Sequence, residues 1–318
     1  MNRFVAVNLD ALGPVLMRKY EMDNVKRLYN NNGELLGISS FPHTAFSMPL
    51  IHSGEYNRNP KKAWVKVTDE SSKTWVDPAR HFNRDVGEST TPNTRTWKRE
   101  EFEHPFIWDY AKENDYDTTV FKLPIVLPPF SMNSPHDEEL GDYWFPDSEE
   151  RIRGHQNKKP ELILKYLEEG TEALFSSIQT PDKIQHLKSH QRIDEFAQEM
   201  FNELDEWVGR FHEFCEDNNI TYLLYGDHGT PHPGAAVLHD IHFNIPRHRK
   251  ESVVFTNADR KPPKYSKDMF NWMVDVMDLD LDVEVKIPDK KEFKDAESNL
   301  SENENKEVTD RLRNLGYL

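Results

Sequence analysis

Two hydrophobic rhythms alternate along the chain. Short, continuous apolar runs occur at Phe4–Leu9 ("FVAVNL"), Thr119–Leu127 ("TVFKLPIVL"), Ala173–Ile178 ("ALFSSI"), 220–226 ("ITYLLYG") and 252–256 ("SVVFT"). Runs of this length that do not alternate with polar residues are expected of strands covered on both faces. Between them, apolar positions recur every three or four residues. One helix is predicted after Gly13-Pro14, continuing toward Val25 and Leu28 and stopping near "NNNG". Others are predicted around "FIWDYAKEND" and "PELILKYLEE". Ile193, Phe196, Ala197, Met200, Leu204, Trp207, Val208 and Phe211 mark one long amphipathic helix that reaches Cys215. Strand and helix in alternation predict an α/β fold, a three-layer α/β/α arrangement around a mostly parallel central sheet.

Two segments break the rhythm. Residues 57–105 are polar, rich in Thr, Asn, Lys and Arg, and carry three tryptophans, Trp64, Trp75 and Trp97. They read as an insertion or cap laid over one sheet edge, where the tryptophans and Arg80 could stack a base or cover a sugar. Residues 286–318 read as a charged tail closed by a short helix. Residues 1–285 are then one catalytic domain, a size that can bury a substantial core.

Charge and cysteine usage narrow the partners. Forty basic against 56 acidic residues leave a formal charge of −16, which argues against affinity for a nucleic acid backbone or an anionic membrane surface. No apolar stretch approaches the roughly 18 to 20 residues of a membrane span, and the N-terminal apolar run is too short for a signal peptide. The single Cys215 permits no disulfide framework, so a reducing, cytoplasmic location is expected.

Candidate chemistry gathers where strands end, the place at which loops of open α/β sheets converge on ligands. Asp10 follows Phe4–Leu9. Asp182 follows Ala173–Ile178, with His186 four residues on. Asp227 and His228 follow "ITYLLYG", and His248 precedes "SVVFT". All are expected at strand boundaries rather than within helices. Taken singly, each has a plainer reading: Asp10 as a turn residue, Asp182 as a helix cap, His186 and His248 as surface imidazoles, Thr44 as an N-cap. His52, His190 and His212 are read as structural. Together, carboxylate oxygens and imidazole nitrogens suit two divalent ions, zinc or manganese, able to clamp the attacking and leaving oxygens of a phosphoryl displacement. A hydroxyl beside them, Thr44, would serve as nucleophile.

The order and spacing of these residues resemble the alkaline phosphatase superfamily, and within it the type I phosphodiesterases and nucleotide pyrophosphatases. The resemblance is carried by Asp10 in "VAVNLDALGP" and by Thr44 ten residues before Gly54 in "PHTAFSMPLIHSG". It continues through "IWDYAKENDYDTTVFKLPIVLPPFSMN" and Asp182-x-x-x-His186, and 45 residues after Asp182 it reaches Asp227-His228-Gly229. His248-Arg249 and the closing "RLRNLGYL" complete it. It spans the chain except for residues 57–105. It implies an alkaline phosphatase-like fold, one metal held by Asp182, His186 and His248, and a second held by Asp10, Asp227 and His228 with Thr44 as the adjoining nucleophile. The expected activity is hydrolysis of a small-molecule phosphate ester, of phosphodiesterase or nucleotide pyrophosphatase type. Two departures bear on the substrate pocket: "YNRNPKKAW" lacks the His-Gly common after the nucleophile turn, and Ser53 replaces the commoner Thr before Gly54. A sulfatase or a phosphotransferase of the same superfamily, and a metal-binding homologue without activity, are the alternatives. Thr44 cannot form the aldehyde that sulfatases make from Cys or Ser.

Overall fold

A computed structural model describes residues 2–40, 44–54, 65–67, 94–96, 102, 104–125, 129–144, 146, 148–188, 194–230 and 249–285. Its centre is a seven-stranded sheet. The strands in chain order are β1 (Arg3–Leu9), β2 (Gly33–Gly37), β3 (Val65–Val67), β4 (Thr94–Thr96), β5 (Thr118–Leu123), β6 (Phe130–Met132), β7 (Ala173–Ile178), β8 (Ile220–Tyr225) and β9 (Glu251–Thr256). The central sheet runs β2-β9-β8-β1-β7-β5-β6, and β3 and β4 pair separately as an antiparallel ribbon. The four inner strands β5, β7, β1 and β8 are parallel, while β9, β2 and β6 join antiparallel at the flanks.

The helices are α1 (Pro14–Lys19), α2 (Asp23–Asn32), α3 (Thr44–Ser53), α4 (Ile107–Glu113), α5 (Asp137–Leu140), α6 (Glu149–Glu168), α7 (Thr180–Lys188), α8 (Asp194–Asp217) and α9 (Met269–Met277). They cover the sheet on both faces, and the continuous apolar strands explain why. Successive side chains of a strand point to opposite faces, so an unbroken apolar run feeds two cores. In β1, Val5, Val7 and Leu9 enter one core with α1, α2, α6 and α8, whereas Phe4 and Ala6 enter the other with α3, α4 and α9. In β8, Tyr222 and Leu224 go to the first, Leu223 and Tyr225 to the second. The expected three-layer α/β/α fold is the observed one. Among the described residues no helix is long and apolar enough to cross a membrane.

Several boundaries differ from expectation. The helix predicted from Pro14 to Leu28 is two helices, broken where Glu21 takes a left-handed conformation (φ 51). The second starts under an acceptor supplied from far along the chain: the Asp205 carboxylate receives the amides of Asn24 and Val25 at 3.0 and 2.9 Å. The helix read as starting at Pro160 begins eleven residues earlier, at Glu149, where the Ser148 hydroxyl accepts the Arg151 amide. Pro160 lies inside it, and its carbonyl accepts the Trp207 indole N–H at 3.0 Å. The strand read to Leu127 stops at Leu123, because Pro124 has no N–H to give to a ladder. The flanking strands β2 and β6 and the helix α9 have no counterpart in the sequence reading. Ile193 and His190, the segment 286–318, and most of 57–105, including Trp64, Trp75, Arg80 and Trp97, lie outside the described residues.

Two glycines allow β8 to deliver its turn. A Cβ on Gly226 would overlap the Ser252 hydroxyl and the Leu12 carbonyl, and one on Gly229 would overlap the Glu251 carbonyl. The turn between β8 and the segment that pairs with it therefore lies too close to its neighbours for any side chain at either position. Gly226→Ala is expected to destabilise the protein by about 3 kcal/mol or more, as overpacking against fixed backbone does; a denaturant midpoint within error of wild type would refute the close-packed turn.

Candidate metal centre

Asp10 is the first residue past β1, and Asp227 and His228 follow β8 after Gly226. Because β1 and β8 are neighbours in parallel register, with Asn8 opposite Tyr225, both chains leave the sheet on the same side and their side chains meet. One ligand atom from each of Asp10, Asp227 and His228 lies within 4.8 Å of the others, and all three residues are buried. His228 Nε2 is 3.4 Å from Asp10 Oδ1 and 3.8 Å from Asp227 Oδ2. The Ala11 amide donates to Asp227 Oδ1 at 3.4 Å, an arrangement helped by the left-handed backbone of Ala11 (φ 63).

Thr44 comes to this cluster from the other side. It is the first residue of α3, and its hydroxyl lies 3.4 Å from Asp10 Oδ1 and 3.2 Å from His228 Nε2. Ser47, one turn later, donates to Asp227 Oδ2 at 3.4 Å. The sequence reading missed Ser47, although its spacing of three from Thr44 puts it on the same helical face. At the other end of α3, Gly54 stops the helix with a positive φ of 69 and its amide bonds the Leu50 carbonyl.

Asp182 and His186 lie on α7 rather than at a strand boundary, which corrects the expectation for His186. Asp182 is in the first turn, and His186 stands one turn on, so a spacing of four puts both on one face. His186 Nε2 is 3.3 Å and Lys183 Nζ 3.6 Å from Asp182 Oδ2. Lys183, adjacent in sequence and buried, is a second residue the sequence reading left out. His248 lies outside the described residues.

The histidines read as structural stand apart from this cluster where they are described. His52 is buried among Trp108, Phe175 and Tyr225, and burial presses its imidazole down to about 3, so it is neutral. His212 Nδ1 lies 3.2 Å from the Tyr222 hydroxyl on the opposite side of the sheet.

The electrostatics of the cluster are those of a place short of positive charge. Burial, and then the charges of Asp227 and Asp182, push Asp10 up to about 8. Burial alone would lower His228, but Asp227 and Asp10 outweigh it and raise the imidazole to about 9. Burial would likewise raise Asp182, yet His186 and Lys183 hold it well below the carboxylate range. Where no metal is bound, protons on Asp10 and His228 would offset this negative charge. A divalent ion fits such a donor set: two carboxylates and an imidazole match zinc or manganese, and the ion would displace both protons.

The chain matches no family model and no curated protein. Its fold is similar to that of solved structures. Murine ectonucleotide pyrophosphatase/phosphodiesterase 5, solved as an inactive threonine-to-alanine variant in complex with AMP, is 11% identical with a TM-score of 0.50, over 88% of this chain and 96% of that one. The structure described as Ps i-CgsB is 11% identical with a TM-score of 0.51, over 88% of this chain and 73% of that one. The alkaline phosphatase of the Antarctic bacterium TAB5 is 12% identical with a TM-score of 0.48, over 87% and 98% of the two chains. The chain shares the fold of the two structures matched at a TM-score of 0.50 or above, the murine ectonucleotide pyrophosphatase/phosphodiesterase 5 and Ps i-CgsB.

The raised groups predict how metal-free protein responds to pH. Asp10 and His228 both bind more protons folded than unfolded, so each contributes stability at low pH that is lost as pH rises. For His228 that contribution is complete below its ordinary 6.5 and gone above about 9; for Asp10 it declines from its ordinary 3.8 to about 8. Asp182 acts in the opposite sense, stabilising above its ordinary value and failing as pH falls. Melting temperatures in chelator and in excess Zn²⁺ or Mn²⁺ should therefore diverge as pH rises from 6.5 to about 9, the chelated protein falling faster. Parallel curves would show that the cluster binds no metal.

Proposed function

We propose that this protein is a metal-dependent hydrolase of small phosphate esters, of phosphodiesterase or nucleotide pyrophosphatase type, with Thr44 as nucleophile. The observation that carries the reading is the Thr44 hydroxyl at 3.2 and 3.4 Å from His228 and Asp10, inside a buried cluster of two carboxylates and an imidazole. The murine protein of the same fold is inactive as a threonine-to-alanine variant and was solved with AMP, which supports a threonine nucleophile and a nucleotide-sized ester here.

In this reading Asp10, Asp227 and His228 hold one divalent ion, and Asp182 and His186, joined by His248, hold the other. Divalent ions so placed lower the pKa of a hydroxyl and offset the charge that develops on the attacking and leaving oxygens. The protein's own groups do the rest. α3 presents Thr44 at its N-terminal end, where backbone N–H groups without helical partners favour a phosphoryl group. Thr44 Oγ1 attacks phosphorus as the bond to the leaving oxygen breaks, giving a phosphothreonine; water then attacks the same phosphorus and restores Thr44. Ser47 and the Ala11 amide keep the Asp227 carboxylate oriented while this occurs. His52 and His212, hydrogen-bonded to Tyr225 and Tyr222, take no direct part in the chemistry.

Purified protein supplied with Zn²⁺ or Mn²⁺ is expected to hydrolyse bis(4-nitrophenyl) phosphate. Thr44→Ala should lower kcat by about a thousandfold or more, in line with the loss of a covalent nucleophile, while metal affinity changes little. Equal activity in the two proteins would remove Thr44 from the mechanism. Comparison of diesters, monoesters and sulfate esters under the same conditions would separate this reading from a sulfatase.

A further inference from the structure

The helix that carries Thr44 is apolar along most of its length, with Met48, Leu50 and Ile51 all buried. Thr44, Ser47 and His52 are buried in it as well, and each meets one short stretch of chain. Thr44 reaches His228 at 3.2 Å, Ser47 reaches Asp227 at 3.4 Å, and His52 Nε2 is hydrogen-bonded to the Tyr225 hydroxyl at 2.8 Å. The order is antiparallel: the start of α3 faces residue 228 and its end faces 225.

Two of these three contacts belong to the candidate metal centre, and the third touches no reacting group. His52 sits in an aromatic enclosure, its ring 5.1 Å from Trp108 and 6.1 Å from both Phe175 and Tyr225. An imidazole there is costly unless hydrogen-bonded, and a leucine would fill the same space without that cost. The Tyr225 hydroxyl is its one hydrogen-bond partner among the described residues, because Nδ1 has none. Tyr225 also directs its hydroxyl toward Met48 Sδ, at 3.8 Å. Tyr225 is itself fixed, paired with Asn8 of β1 and with Val254 of β9. The strand is thus the stationary member and the helix the adjustable one. A slip of α3 by one residue, about 1.5 Å, would break a 2.8 Å hydrogen bond outright, whereas apolar packing alone would tolerate it.

We infer that the His52–Tyr225 hydrogen bond is a latch that fixes the position of α3 along β8, and through it the separation of the Thr44 hydroxyl from His228 and Asp10. Both residues are positioning residues that act through Thr44. The inference deepens the proposed function and depends on it only for its kinetic consequence.

Tyr225→Phe removes one oxygen and keeps the ring. In full-length protein it should speed amide hydrogen exchange of residues 48–54 by about tenfold or more, the scale of one lost buried hydrogen bond expressed in a local opening, with β1 and β7 unchanged. Mn²⁺ affinity, measured by calorimetry, should stay within about twofold, because the described ligands follow β1 and β8 or lie on α7. On bis(4-nitrophenyl) phosphate, kcat should fall by about ten- to a hundredfold with KM unchanged, as misplacement of a reacting group by about 1 Å does. His52→Leu provides a second route to the same loss, and the double variant should be no worse than the more affected single one. Unchanged exchange in α3 would overturn the latch, as would a loss of metal affinity in step with kcat and with exchange across the whole sheet. A wild-type protein that binds Mn²⁺ and hydrolyses no phosphate ester would reject the proposed function, while the exchange comparison would still decide the latch.

Discussion

Carboxylates buried together repel one another and resist ionisation, and this constraint organises the candidate centre. Asp10 is pushed up by burial and by the charges of Asp227 and Asp182. The basic side chains described beside these carboxylates are His228, His186 and Lys183. A folded protein tolerates such a concentration of negative charge where a cation or bound protons balance it. The surrounding architecture keeps the imbalance in place: parallel β1 and β8 bring Asp10 and Asp227 to the same edge, and the carboxylates cannot separate without breaking the sheet. The position of Thr44 matters because it is the hydroxyl brought up against this cluster.

That arrangement depends on packing at three levels. Continuous apolar strands supply two cores, one on each face. The close turn at Gly226 and Gly229 turns Asp227 and His228 toward the neighbouring strand. α3 then lies against that strand with Thr44, Ser47 and His52 meeting His228, Asp227 and Tyr225 in reverse chain order. The burial of Met48, Leu50 and Ile51 follows from this position. A helix sandwiched between the sheet and α9 must be apolar, and its few polar residues serve where they meet the end of β8.

The inner strands and the long helix α8 were legible in the sequence because continuous apolar runs and a sustained period of three to four residues are strong local signals. The flanking strands were not. β2, "GELLG", is short and glycine-bounded, with only two apolar side chains, and it exists because β9 offers it a partner. The start of α2 was hidden because its cap, Asp205, comes from another helix, and the start of α6 because Pro160, inside the helix, looks like a first-turn proline. Within the centre, Asp10, Asp227 and His228 could be read from their positions after strands, and the structure brings these three together with Thr44. Ser47 left only its spacing from Thr44 as a signal, and Lys183 and the His52–Tyr225 pair were illegible, since each acquires its role from a contact made only in the folded chain.

The most direct measurement of the central claim is anomalous scattering from crystals grown with Mn²⁺ or Zn²⁺. The account predicts a peak about 2.0–2.2 Å from one oxygen each of Asp10 and Asp227 and from an imidazole nitrogen of His228, the usual range for zinc with such ligands, with the Thr44 hydroxyl beside it. A map with full-occupancy metal elsewhere and none among these three residues would contradict it.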